Sequence, residues 1–406
     1  MRISKTLFTA FFLLFSITPA SAVEIPAVFN FQGTGYGHGV GLSQIGARGK
    51  ALAGESAQSI LSYYYSGTQI LPLADNQSVR VNVGHLLTQA SIKSGTKDSI
   101  LNVYLGDVGE SLTAVPAASL TWKSAISFVQ LGTSISAFIV TGKNSQLLGT
   151  NSAWSVRWSG TRYLDGLAST VSLRVNSKSV KYRYGQIQIK SVKAPIIGHR
   201  MEVTNTVRIH DEYLYGISEV PSSWPTQALI AQAIASRSYV LSKLGVPRVA
   251  CDCNVYNSIS DQSFVGFSKE IEPIYGKLWK EAVQASSTSE TTGQVITVNG
   301  SPITAYFSSS SGGQTETSVN AWGQERSFTT SVADPYSQDP ILNPRFFTWS
   351  RPLTQAVLAR TFSLADVVAL NIDSRNPTGT VARISATSSD GKITTLRGET
   401  FRSRTQ

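Results

Sequence analysis

The stretch Asp211-Glu212-Tyr213-Leu214-Tyr215-Gly216-Ile217-Ser218-Glu219-Val220-Pro221 decides how this chain is read. Glu219 is an acid among apolar neighbours, just ahead of a helix opened by Ser222, Ser223, Trp224 and Pro225. Burial beside Val220, Pro221 and Trp224 penalises a carboxylate and favours the neutral acid, the state that protonates a leaving group near neutral pH. Glu219 is therefore a candidate general acid. The plainer alternative is an acid that faces the first turn of the following helix, where the macrodipole favours negative charge. Asp211 and Glu212 are alternative acids, but their polar run ahead of Tyr213 predicts solvated side chains.

Working outward, residues 222–243 carry the strongest helical pattern, rich in Ala, Leu and Gln, with Pro225 in the first turn. Gln232 and Arg237 stand five positions apart in it, so they cannot share one narrow stripe. Shorter helices are expected at residues 43–53 and 56–65, each with a serine N-cap and with Gly54 ending the first, and again at 272–286 and 353–370. Between residues 78 and 202, alternating runs such as Val79-Arg80-Val81-Asn82-Val83 and Val171-Ser172-Leu173-Arg174-Val175 alternate with Gly, Ser, Asn and Asp, which is strand and hairpin vocabulary. Residues 294–300 and 304–307 read as a hairpin about Asn299-Gly300, and 381–396 as strands about Asp390-Gly391. The expected class is α+β: a β-rich domain with a few helices around the glutamate.

Three blocks resemble one family. Residues 211–221, continued by Ala228-Leu229 and Ala231-Gln232-Ala233-Ile234-Ala235-Ser236-Arg237-Ser238-Tyr239, resemble the core motif of the stage II sporulation protein D and LytB amidase-enhancer family (SpoIID/LytB). Ala305-Tyr306-Phe307 through Ser311-Gly312-Gly313-Gln314-Thr315-Glu316 is the second block. Gly35-Tyr36-Gly37-His38-Gly39-Val40-Gly41-Leu42-Ser43-Gln44 with Gly46-Ala47 is the third. The resemblance implies that Glu219 falls on the glutamate of members that are lytic transglycosylases cutting peptidoglycan glycan strands. In the family the Gly-His-Gly block closes the chain, after a segment resembling Thr395-Leu396-Arg397-Gly398-Glu399-Thr400-Phe401-Arg402. Here the order is reversed, as in a circular permutation, which is tolerated when the original termini lie close together at the surface. It implies that residues near Gln32 and Gln406 are neighbours. The expected organisation is a signal peptide at 1–22, a permuted Gly-His-Gly helical segment at 23–70, a β-rich subdomain at 71–202 and a SpoIID-like catalytic core at 203–406.

Arg2 and Lys5 precede an apolar run from Leu7 to Ile17, and Ala20-Ser21-Ala22 supplies a cleavage site, so a secreted, wall-associated protein is expected. The run is too short for a comfortable membrane span. Losing Arg2 and Lys5 takes the formal charge from +10 to +8. That charge suits anionic wall polymers, and no run of Lys and Arg interleaved with aromatics points to nucleic acid. Cys251 and Cys253 are the only cysteines, and a disulfide across one residue fits the preferred geometry poorly. The resemblance implies zinc in some relatives, but residues 243–262 hold no histidine, leaving His199 and His210 to come from elsewhere. Zinc, a redox-labile pair and two free thiols stay open, and no other cofactor is expected.

Glycan cleavage commonly uses two carboxylates. A lytic transglycosylase manages with one: it protonates the bridging oxygen, then takes the proton from the C6 hydroxyl of the same N-acetylmuramic acid as a 1,6-anhydro ring closes. Both roles fall to Glu219. Expected substrate contacts are Tyr306, through its ring face and hydroxyl, Ser309 and Thr315 in a Gly-flexible loop, Arg237 and Gln232 on the helix, and His38 and Gln44 of the Gly-His-Gly block. For Arg237 a structural ion pair, and for His38 a hydrogen-bonded scaffold role, are the alternatives. A serine hydrolase is disfavoured by the lack of a local His and Asp constellation. Expected partners are peptidoglycan glycan strands and, if the chain is a non-catalytic enhancer, an N-acetylmuramoyl-L-alanine amidase of the wall.

Overall fold

Alternating apolar residues between positions 78 and 207 build two largely antiparallel sheets that share one core, with Val255–Tyr256 added in parallel to Ser78–Leu87 at the edge of one. One has six strands, in the order Asn144–Asn151, Ser134–Thr141, Ser124–Leu131, Gln89–Ser94, Val171–Val175 and Lys178–Tyr182. The other has seven, in the order Val255–Tyr256, Ser78–Leu87, Gly198–Arg208, Gln186–Ala194, Ala153–Trp158, Ile100–Leu105 and Ala118–Thr121. Ile92, Phe128 and Ile135 from the first meet Trp154, Val156, Ile187 and Val203 from the second in a single buried cluster. The indole of Trp154 also donates to the carbonyl of Ile135 at 2.9 Å. Each such side chain, fully buried, contributes about 1.5–3 kcal/mol, so this core holds the sandwich.

The computed structural model describes residues 24–405, and the signal peptide expected at 1–22 lies outside them. The chain divides into a unit spanning residues 33–349 and a smaller one formed by the residues up to 32 with those from 350 onward. The α+β, β-rich class is the observed one. Among the described residues no helix is long and apolar enough to cross a membrane.

In the larger unit, the helix Thr226–Leu241 is buried on nearly all sides, which its alanines permit by letting neighbours approach closely. The helices Gln44–Leu52 and Ala57–Tyr64 pack on it, with Leu42, Ala47, Ile60, Leu61, Tyr64, Ala231, Ile234 and Ala235 in one cluster. Both short helices start as the sequence implies, Ser43 accepting from the Gly46 N–H and Ser56 from the Ser59 N–H. The expected helix at 222–243 begins later, at Thr226, and the one at 272–286 is the shorter Gly276–Ala285. The turn Asn299-Gly300, both at positive φ, joins Thr292–Val298 to Ser301–Pro302. Residues 307–308 instead pair in parallel with Leu42–Ser43, so 304–307 is not the hairpin's second strand.

The smaller unit pairs Val28–Gly33 with Trp349–Thr354 and covers the sheet Ala369–Arg375, Val381–Thr387, Ile393–Arg397 with the helices Gln355–Phe362 and Gly398–Thr405. Phe31 meets Phe401 with ring centroids 5.4 Å apart, so the strand Val28–Gly33 adjoins the helix Gly398–Thr405. The helix expected over 353–370 is cut to its first half. Ser363 turns left-handed at φ +56°, and the Gln355 amide bridges both the N–H and the carbonyl of Val367, holding that strap extended.

Candidate functional site

Residues 216–218 run against 263–265: Ser218 donates its N–H to Ser263 O at 2.8 Å and Val265 to Gly216 O at 2.8 Å. This pairing sets Glu219 opposite Ser263, whose backbone N–H donates to Oε1 at 2.5 Å. Burial pushes the Glu219 carboxyl above the ordinary glutamic acid range, against the opposing pull of that N–H. The side chain is half-buried, so a substrate oxygen can still reach it.

Around it lies a cluster of tyrosines. Tyr213 donates to Gln262 at 2.7 Å; burial, then the charges of Tyr239, Glu219 and Asp261, push its hydroxyl well above its ordinary value. Tyr239 donates to Asp261 Oδ1 at 2.8 Å. The same oxygen accepts from Arg248 at 2.9 Å, and Oδ2 accepts from the Tyr256 N–H at 2.9 Å. Asp261, which like Glu219 acts on the Tyr213 hydroxyl, thus has both oxygens already engaged. Tyr306 also weighs on the Tyr239 hydroxyl, which places it at the margin of the same cluster.

Two blocks far apart in sequence zip together here. Tyr36 exchanges backbone hydrogen bonds with Ser310 at 2.9 and 3.2 Å, Leu42 donates to Tyr306 O at 3.0 Å, and Glu316 donates to Gly39 O at 2.8 Å. The glycines permit the contact. Gly41 has φ +74°, and a Cβ there would stand 2.2 Å from Tyr306 O. The result presents His38 edge-on to Trp322 and Tyr306, with centroids 5.1 and 6.2 Å apart, while His38 Nδ1 accepts from the Val40 N–H at 3.0 Å.

Of the expected substrate contacts, Tyr306, Ser309 and His38 are half-buried and reachable. The others are built into the scaffold. Arg237 is fully buried, held by Asp75 at 2.7 Å and by the Ser286 carbonyl and hydroxyl at 3.1 and 2.8 Å. Asp75 also meets His210 at 2.7 Å, so the arginine neither faces a sugar nor pairs with Glu219. Gln232 and Gln44 bond each other at 3.2 Å inside the helix packing, and Gln232 reaches Ser236 at 3.1 Å. Thr315 is 1% exposed and accepts from the Val332 N–H.

Glu212 is buried and Asp211 half-buried, because residues 209–213 wind into a single π-helical turn against the fold. Burial raises the Glu212 carboxyl despite the Arg208 N–H and Arg162. For Asp211 burial is outweighed by the Arg208 guanidinium, which holds it below its ordinary value.

Cys251 and Cys253 are joined as a buried disulfide, which the intervening Asp252 permits by adopting φ +50°. Asp252 itself is clamped by Arg80 at 2.5 Å and Lys190 at 2.9 Å. The sulfurs do not fit a zinc site. His210 is committed to Asp75, His199 lies 3.2 Å from Ser191, and among the described residues no three His, Cys, Asp or Glu converge.

Sequence reasoning missed the Ser263 N–H, Asp261, Tyr239 and Trp322. A backbone donor has no side-chain signature. Asp261 and Trp322 carried only their residue types, and Tyr239 was read merely as part of a motif.

Residues 198–298 match the family described as Stage II sporulation protein (SpoIID). The chain is 32% identical over 123 residues to the Amidase enhancer of Bacillus subtilis (strain 168), covering 30% of this chain and 15% of that protein. It is 27% identical over 135 residues to Stage II sporulation protein D of the same strain, covering 32% and 39%. To Stage II sporulation protein D of Bacillus amyloliquefaciens it is 26% identical over 182 residues, covering 42% and 52%. The chain thus spans between 15% and 52% of the length of these relatives. No solved structure matches it.

Proposed function

From residues 198–298, which carry the SpoIID/LytB family segment, we propose that the chain is an exported peptidoglycan lytic transglycosylase acting in wall remodelling, with Glu219 as its acid and base. The observation that carries this reading is a half-buried Glu219 whose pKa is raised by burial and whose position is fixed by a single backbone N–H. In the proposed cycle the protonated carboxyl gives its proton to the oxygen bridging N-acetylmuramic acid and N-acetylglucosamine, and the C1–O bond breaks with its electron pair going to that oxygen. The carboxylate then takes the C6 hydroxyl proton as O6 bonds to C1. Glu219 ends protonated, and no water is consumed.

Asp261 favours this route over hydrolysis. A hydrolase needs a second carboxylate free to activate water or attack the sugar. Asp261 spends both oxygens on Tyr239, Arg248 and Tyr256. Tyr306 and His38 are proposed to contact the sugar, since they remain accessible. Export and wall association rest on the signal peptide read in residues 1–22.

Purified glycan strands digested with the protein should yield 1,6-anhydro ends, lighter by one water than hydrolytic ends on mass spectrometry. Hydrolytic ends alone would overturn the mechanism. A second reading, a non-catalytic wall-binding enhancer of an amidase, is favoured by the name of one relative, Amidase enhancer. Under it, Glu219→Gln would leave wall binding and amidase stimulation intact, and no anhydro ends would form with either protein.

A further inference from the structure

The larger unit holds a second polar recess, a cavity of about 550 Å³, within the range that takes small organic ligands. Asn82 and His85 from the strand Ser78–Leu87, Asn176 from the turn after Val175, and Tyr256, Asn257 and Ser260 supply its polar wall, while Val83, Leu87 and Val175 supply an apolar patch. We propose that this cavity is a distal subsite for an N-acetylated aminosugar of the same glycan strand. The inference rests on the glycan-cleaving reading of Glu219 for its identification of the ligand.

Four features carry it. The wall offers amides, hydroxyls and an imidazole but neither Lys nor Arg, so it suits hydroxyl and acetamido groups rather than the carboxylates of stem peptides or the phosphates of wall polymers. The apolar patch suits an acetyl methyl and the C–H face of a sugar ring.

The polar groups are also held in place before binding. Glu202, whose side chain is fully buried, accepts from Asn82 Nδ2 at 2.7 Å and from the Leu86 N–H at 3.1 Å, and meets His85 Nδ1 at 2.9 Å. This contact fixes the orientation of the His85 ring at the cavity wall. Leu86, at φ +55°, is held in a conformation that leucine rarely adopts, and its N–H bond to Glu202 fixes that bend beside His85. Groups ordered in advance lose little freedom when ligand arrives.

Position is the fourth feature. Ser260 stands three residues before Ser263, whose N–H anchors Glu219, and three residues span at most about 11 Å. The segment that walls the cavity therefore leads, within three residues, to the backbone N–H that anchors the acid.

The test uses chitotetraose, the N-acetylglucosamine tetrasaccharide, titrated by calorimetry into the full chain and into two variants whose folding is checked by melting curves. Ser258→Trp, at an exposed position on the rim, should fill the cavity and weaken binding at least about tenfold. Asn257→Ala, removing one hydrogen-bonding amide, should weaken it about fivefold. No binding by the parent at millimolar sugar, or parental affinity in both cavity variants, overturns the subsite. Weakened binding in the cavity variants with no anhydro ends from the parent keeps the subsite and sinks the transglycosylase. Anhydro ends from the parent with unaltered affinity in both cavity variants does the reverse.

Discussion

Replacing Glu219 by glutamine keeps the side chain's shape and leaves an oxygen to accept the Ser263 N–H, while removing the proton that the reaction needs. General acid catalysis contributes about 10²–10⁴ in rate, or about 3–5 kcal/mol of barrier, so the rate of anhydro-end formation should fall by that factor. Folding stability should move the other way. Burial raises the pKa of Glu219 above its ordinary 4.5, so the folded state holds this proton more tightly than the unfolded chain. Below the unfolded value the neutral acid carries no penalty. As pH climbs through the folded pKa the buried charge destabilises the protein, and glutamine escapes that cost. Glu219→Gln should therefore melt above the parent at about pH 8, with the difference shrinking as pH falls below about 4.5. Anhydro ends counted by mass spectrometry and melting temperatures taken across pH decide the matter. Activity within tenfold of the parent, or a stability difference independent of pH, would refute the reasoning.

In the parent, the rate should decline on the alkaline side through a pKa above the ordinary glutamic acid range; a decline centred near 4.5 would contradict the burial of Glu219. Arg237→Ala leaves the buried Asp75 with His210 as its one remaining partner and should cost about 3 kcal/mol in denaturant unfolding, whereas a folded, equally stable variant with a raised KM would restore the arginine to substrate binding. Gly41→Ala must displace the Tyr306 carbonyl and adopt a left-handed φ, so it should lose about 3 kcal/mol or more, against about 1 kcal/mol for Gly54→Ala, whose Cβ meets nothing within 4 Å. Equal melting temperatures for the two would count against the zipped blocks. Tyr306→Phe, which keeps the ring beside His38 and Trp322, should preserve stability and raise KM for glycan; an unchanged KM removes its hydroxyl from the site.

What the sequence made legible was local. Glu219 stood out because its apolar neighbours are adjacent in the chain, and the Gly-His-Gly block because only glycine accepts four positive φ angles at alternate positions from Gly35 to Gly41. The two serine caps follow from the first turn alone. What stayed hidden depends on partners far away. Arg237 finds Asp75 across 162 positions, and nothing near the arginine marks that aspartate as its mate. The polar run of Asp211 and Glu212 looked solvated because its closing turn and Arg162 come from tertiary structure. The apolar periodicity of 353–370 ran through a residue, Ser363, that gives no sign in its type of leaving the helix. Cys-Asp-Cys closed because the aspartate between the sulfurs took a conformation that the general geometry of cystine does not anticipate.

The smaller unit, built from residues before 33 and after 349, places a demand on the order in which the chain can fold. Synthesis delivers the strand Val28–Gly33 more than three hundred residues before its partner, Trp349–Thr354. Throughout that interval the strand Val28–Gly33 has its hydrogen-bonding edge open and Phe31 without Phe401, a state in which edges recruit other chains. Closing so long a loop adds only a logarithmic entropy cost once the intervening unit has condensed. The hazard is thus one of timing, and it ends once Trp349–Thr354 and the helix Gly398–Thr405 are present to close the unit.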